Sequence, residues 1–299
     1  MKNLYRLMMF CAAIVLTSGA AHADALYALA GNSLLVVDTA TPGTTRSTLA
    51  ITGLQPGESL VGIDVRPATG ELFGVGSTSR VYVINPLTGA ATMVGAGPFA
   101  PALSGTSFGV DFNPVPDRIR VVSDTGQNLR LNPNNGAVAA TDTPLNGAAT
   151  SAVGAGYTNS FAGATTTTLY VIDAISDNLY LQGSIGGAPV SPNGGTLTLV
   201  GPLGVNTSNA VGLDISPAGT AFAALNVGGV SGLYTINLAT GTATLIGTFA
   251  AGGAPITGIA LAPVAMLNAP RPIPTLPTAG LALLALLLGF GTYRVLRRR

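Results

Sequence analysis

The chain is predicted to be an all-β protein of repeated four-stranded units, and three observations in its 299 residues predict this. First, one phrase recurs. Leu60-Val61-Gly62-Ile63-Asp64-Val65 returns as Phe108-Gly109-Val110-Asp111-Phe112 and as Val211-Gly212-Leu213-Asp214-Ile215, with worn copies at 153–157 and 257–263. Counted between glycines 62, 109, 156, 212 and 258, the intervals are 47, 47, 56 and 46 residues, a period that marks stacked or ringed repeats. Second, Val, Ile, Leu and Thr fall in short runs bounded by the 40 glycines and 20 prolines. Third, only 8% of residues are charged while 47% are hydrophobic, the composition of a chain that buries itself rather than staying disordered.

The elements follow in order. Residues 1–23 carry Lys2 and Arg6, an apolar run, and a small-residue site ending at Ala23, the layout of a cleaved secretory signal. Three strands are expected at 26–29, 34–38 and 44–51. Each repeat then gives four: the phrase itself, a second strand (71–75, 118–122, 169–173, 221–225), a third (81–85, 129–132, 179–182, 233–237) and a fourth (91–95, 137–140, 196–201, 242–247). Third and fourth are joined by Asn85-Pro86-Leu87-Thr88-Gly89 and its echoes from Asn132 and Asn237, where Asn, Pro and Gly supply the preset or positive φ of a tight turn. Four short strands per unit is the composition of a propeller blade. The chain opens on strands two to four of a blade and ends on a lone first strand at 256–262. Pairing that strand with 26–29 gives five blades and twenty strands over 24–263, leaving no long free edge. The 56-residue unit carries an insertion around 183–195. Residues 264–278 are a proline-rich spacer. Residues 279–299 are an apolar helix, short for a membrane span, ending in Arg294, Arg297, Arg298 and Arg299, which orient the C-terminus to the cytoplasm.

Composition excludes whole chemistries. Cys11, His22 and Lys2 all lie in the signal segment, and there is no Trp. The exported part has no Cys or Lys nucleophile, no Ser-His-Asp triad, no His-ligated zinc and no disulfide. Between residues 24 and 270, six Arg face twelve Asp and Glu, so the body is acidic and lacks the cationic surface a nucleic acid requires.

Asp64, Asp111 and Asp214 fill one slot of the repeated phrase. They are the candidate oxygen ligands for a hard cation such as Ca²⁺, with backbone hydrogen bonding as the competing role; the equivalent slots are read as Tyr157 and Ala260. Arg118 and Arg120 alternate on one strand and form a candidate clamp for an anionic sugar or carboxylate, or else solvated edge charges. Glu58 and Glu71, the only glutamates, read as surface acids. The recurring strand tyrosines (Tyr27, Tyr82, Tyr170, Tyr180, Tyr234) read as packing residues, and the Thr165-Thr166-Thr167-Thr168 run as the lead-in to a strand.

Two resemblances add to this. Ile273, Pro274, Thr275 and Leu276, followed by a helix and an Arg cluster, resemble the IPTL-type C-terminal sorting signal of Gram-negative bacteria. In place of the family's Trp-Gly stands Ala279-Gly280. The resemblance implies an exosortase-like processing peptidase as a partner, at least transient membrane contact through the helix, and display at the cell surface or release. Residues 26–263, with phrases such as Leu233-Tyr234-Thr235-Ile236-Asn237 and Val61-Gly62-Ile63-Asp64, resemble the bacterial domain-of-unknown-function family 4394. Two functions stay open: a non-catalytic surface module binding extracellular polysaccharide or a surface protein, without a cofactor, and a divalent-metal-dependent propeller hydrolase of lactonase or glycosidase type.

Overall fold

A computed structural model of the chain describes residues 24–263. The expected signal peptide with its Ala23 site, the sorting residues Ile273, Pro274, Thr275 and Leu276, and the apolar helix over 279–299 lie outside the described residues.

The chain begins with β1 (Ala25–Ala30), β2 (Ser33–Asp38) and β3 (Thr41–Ala50), an antiparallel meander. The first complete blade is β4 (Leu60–Val65), β5 (Leu72–Gly76), β6 (Arg80–Ile84) and β7 (Ala91–Val94); the second is β8 (Phe108–Asn113), β9 (Arg118–Ser123), β10 (Asn128–Leu131) and β11 (Val138–Thr141). A two-residue strand, β12 (Asn146–Gly147), precedes the third blade of β13 (Gly154–Tyr157), β14 (Leu169–Asp173), β15 (Asn178–Gln182) and β16 (Thr196–Pro202). The fourth is β17 (Val211–Ile215), β18 (Ala221–Val227), β19 (Val230–Ile236) and β20 (Ala243–Thr248). The last strand, β21 (Ile256–Leu261), pairs antiparallel with β1, Leu26 opposite Leu261 and Ala28 opposite Ile259. It completes the closing blade.

The five blades and the join between the two ends of the propeller therefore form as expected. The strand count differs by one. β12 adds in parallel to β16 at the rim of the third blade, Asn146 opposite Thr196. It is held there because the Asn146 amide donates to the Gly194 and Pro144 carbonyls (2.8 and 2.9 Å). The insertion sits between β15 and β16 as two 3-10 turns, Ile185–Gly187 and Pro192–Gly194.

The core lies between blades, since each blade is buried on both faces. Phe73 and Val75 of the first blade pack against Phe108, Val110 and Phe112 of the second, where the Phe73 and Phe112 rings meet edge to face at 5.2 Å. Val153 and Ile172 meet Leu213, Ile215 and Ala223, and Leu26, Ala28 and Leu35 meet Ala224, Leu233 and Ile259. Inner strands are buried at every position or at all but one, while the outermost, β3 and β11, alternate with solvent.

At the axis β4, β8, β13, β17 and β21 stand side by side in that order, and β21 returns to β4. The repeated glycine makes this approach possible. A Cβ on Gly109 would lie 2.7 Å from the Gly154 carbonyl carbon, and one on Gly212 would lie 2.7 Å from the Ile259 nitrogen. These contacts also fix the alignment of repeats. Gly154, rather than Gly156, takes the glycine slot of the third blade. At the rim, the Asn turns perform as expected: Gly89, Gly136 and Gly241 donate to the carbonyls of Asn85, Asn132 and Asn237 at 2.8–2.9 Å, with φ of +77, +69 and +82°.

Candidate functional site

Asp64, Asp111 and Asp214 all come from inner strands. In an antiparallel sheet their side chains leave the strand on the same side as that of every second neighbour, and here that side, shared with Gly62, Gly109 and Gly212, faces the inner strand of the next blade. One carboxylate oxygen from each lies within 4.8 Å of the others, and all three residues are buried. The structure therefore brings together the three acids that the sequence placed in one slot.

It also gives each a partner in the following blade. Asp64 Oδ2 accepts the Phe112 N–H (2.6 Å), Asp111 Oδ1 accepts the Tyr157 N–H (3.0 Å) and Asp214 Oδ2 accepts the Leu261 N–H (2.6 Å). Asp64 Oδ1 takes a further N–H from Val65 (2.7 Å). Each acceptor belongs to one blade and each inter-blade donor to the next, so the acids act as staples around the axis. The same register shows that the empty slots are Gly156 and Ala260; the reading of Tyr157 as the third-blade equivalent is one residue off. Tyr157 supplies the N–H instead. Two slots without a bulky side chain leave the centre to three carboxylates.

Burial sets the electrostatics. It pushes Asp64 and Asp111 well above the ordinary carboxylate range, and the neighbouring acids of the triad push them further. Asp214 is pushed up to about 6 by burial, against the N–H bonds from Leu261 and Ile215. As metal ligands the three offer the hard oxygens that Ca²⁺ prefers, but Ca²⁺ takes 6–8 oxygens and several lone pairs here already receive N–H donors. Next to the triad along the axis, a cavity of about 10 Å³ lies among Gly62, Gly109, Gly154, Gly212 and Gly258, room for about one water.

The arginines resolve differently. Arg120 is fully buried, on a strand paired on both sides, so it is no solvated edge charge. Its guanidinium donates to the Tyr157 hydroxyl (3.1 Å), Asn128 Oδ1 (2.7 Å), Asp142 Oδ2 (2.6 Å) and Asn193 Oδ1 (2.6 Å). Arg118, half-buried, donates to the carbonyls of Pro116 (3.2 Å) and Asp117 (2.7 Å). Arg130 grips Asp142 with two parallel bonds of 2.8 Å. The Asp142 and Asn193 contacts join positions 22 and 73 residues from Arg120 and had no local sequence signal.

Glu58 is a correction. It is buried rather than a surface acid, accepting from the Tyr82 hydroxyl and from the Thr78 hydroxyl and N–H. Burial alone would raise its pKa, but those hydrogen bonds and Arg80 outweigh it and the carboxyl sits below its usual range. Tyr82 is pushed up to about 12 by burial and by this bond. Glu71 is exposed, as expected.

Comparison with known proteins adds the following. A family described as "Domain of unknown function (DUF4394)" matches residues 33–260, and the IPTL-CTERM motif matches residues 271–299. No curated protein matches the chain. Among solved structures, a chain from a nidogen/laminin complex is 10% identical, with a TM-score of 0.47, over 80% of this chain and 98% of that one. A protein of unknown function from Bacteroides thetaiotaomicron is 15% identical, with a TM-score of 0.43, over 73% of this chain and 57% of that one. A putative 6-phosphogluconolactonase from Bacteroides uniformis is 15% identical, with a TM-score of 0.37, over 73% of this chain and 68% of that one.

Proposed function

The chain belongs to the family described as domain of unknown function DUF4394 and carries an IPTL-CTERM motif, and from that premise we propose that it is an exported, surface-displayed binding and structural module without a reaction of its own. The C-terminal motif is a sorting signal and points to export and the cell surface. The observation that carries the non-catalytic reading is the engagement of the axial acids. Each of Asp64, Asp111 and Asp214 spends a carboxylate oxygen on the backbone of the next blade. A group fixed in that way holds the ring closed, whereas a catalytic acid or base needs to reach a substrate proton. The missing His, Cys and Lys remove Cys and Lys nucleophiles, and the His base that activates a serine, from the exported part.

A second reading, the divalent-metal-dependent hydrolase of lactonase or glycosidase type, has one observation in its favour: the three carboxylates converge within 4.8 Å. Calcium titration by calorimetry, with thermal melting in the presence and absence of chelator, separates the two. Ligand bound only to the folded state raises the melting temperature. The expected result is no heat and no shift. A calcium-dependent rise that disappears in the Asp64→Asn, Asp111→Asn double variant overturns the structural role and restores the hydrolase.

A further inference from the structure

The third blade carries the insertion, and the surface beside that insertion is concave. The inserted 3-10 turns of the third blade form one wall of a groove of about 260 Å³. The β8–β9 turn of the second blade, with Asn113 and Pro116, forms the other. Arg130, Asn193, Thr165 and Thr166 line it between them.

Charge converges on the same spot. Of the six arginines between residues 24 and 263, Arg46 pairs with Asp38, Arg66 with Asp117, and Arg80 lies 3.9 Å from Glu58. The other three sit on one face of the second blade, with Arg130 directly opposite Arg120 and Arg118 two residues along the same strand. Arg120 and Arg130 share a single carboxylate, Asp142. Asp111 stands opposite Arg120 in the register, but burial holds it toward its neutral form. An acidic domain thus keeps a local excess of positive charge beside this groove.

The donors there are arranged rather than scattered. Arg120 Nη2 donates to Asn193 Oδ1 (2.6 Å), and since a guanidinium only donates, the Asn193 amide NH₂ is the end left over. That NH₂ has no partner among the described residues. Arg130 commits Nε and Nη2 to Asp142 and keeps Nη1. Two donors anchored from beneath suit the two oxygens of one carboxylate. Around them stand exposed hydroxyls, Thr165, Thr166 and Ser191, which donate and accept as a sugar hydroxyl does.

We propose that this groove binds a carboxylate-bearing saccharide. Its acid group meets Arg130 and the Asn193 amide, and its ring hydroxyls meet Thr165, Thr166 and Ser191. This deepens the reading of the chain as a surface binding module and rests on it. The exposed start of the threonine run, and the insertion that lengthens one repeat, both acquire a purpose in this site.

The test is calorimetric titration of the full chain in detergent with trigalacturonate, galactotriose and triglutamate, with chromatography of the saccharides afterwards. The expected result is binding of trigalacturonate alone. Binding weakens at least tenfold in Arg130→Gln and in Thr166→Trp, which fills the groove without touching the Asp142 pair, and is unchanged in Arg46→Gln. Equal binding by wild type and both groove variants overturns the site. Absence of trigalacturonate binding, or triglutamate binding of equal strength, overturns the saccharide assignment and leaves the module reading in place. Cleavage of the trisaccharide overturns the non-catalytic reading and leaves the groove.

Discussion

At the scale of single residues, the axial acids set the pH behaviour. The folded-state pKa values of Asp64, Asp111 and Asp214 are raised above the unfolded value of about 3.9. The folded state then holds more protons than the unfolded state above pH ~4, so stability falls as pH rises through that window and through the folded value of about 6 for Asp214. Glu58 acts in the opposite sense: its lowered pKa gives stability that is present above its usual range and is lost on acidification. Thermal melting should therefore show stability declining from pH ~4 through pH ~6. Asp111→Asn keeps an acceptor for the Tyr157 N–H and removes the buried charge. It should flatten the decline and raise the midpoint at pH ~8 by about 2–4 °C, roughly 1 kcal/mol in a domain of this size. A melting temperature that climbs from pH ~5 to pH ~8 would mean that these acids are ionised and satisfied.

At the scale of elements, the inner strands are defined by glycine as much as by their apolar residues. A Cβ on Gly212 meets backbone on the neighbouring strand, the Ile259 nitrogen at 2.7 Å and the Gly258 carbonyl carbon at 2.8 Å. Backbone of a ring closed on both sides cannot step aside, so Gly212→Ala should cost about 1–3 kcal/mol or more by overpacking. Gly194→Ala is the control, since nothing lies within 4 Å of its added Cβ and its φ is unexceptional. That substitution should be neutral or slightly stabilising. Urea denaturation of the two variants compares them directly; equal midpoints would show that the blades are free to spread. The period and the Asn turns were legible because each is local: an Asn whose side chain caps its own turn and a glycine that closes it lie within five residues. The pairing of β12 was not legible, because a two-residue strand carries no periodicity.

At the scale of the whole molecule, cooperativity depends on β21. It supplies the inner strand of the closing blade, the neighbour of both β17 and β4, and the N–H that Asp214 accepts. Deleting residues 256–263 should expose the edge of β1, leave Asp214 without that donor and replace a single sharp calorimetric transition by broad, aggregating unfolding. A deletion variant melting in one transition at the original temperature would show that the other four blades carry the cooperative unit alone.

The sequence by itself determined the all-β class, the four-strand unit, the five blades, the closure of the ring by its last strand and the family. All of these are written in residues that are neighbours or that repeat at a fixed interval. It also named Asp64, Asp111 and Asp214 as equivalent, since equivalence is a property of the repeat. Only the tertiary structure decided that the three meet at one point, and that each is tied to the next blade. It also decided that Glu58 and Arg120 are buried, and that Arg130, Asn193 and the threonines face one groove. The reason is physical: a repeat fixes where a residue sits in its own blade, while burial, ion pairing and convergence depend on what the other blades bring to it. Asn193 reaches Arg120 across 73 residues of chain, and only the packing of the third blade against the second puts them 2.6 Å apart.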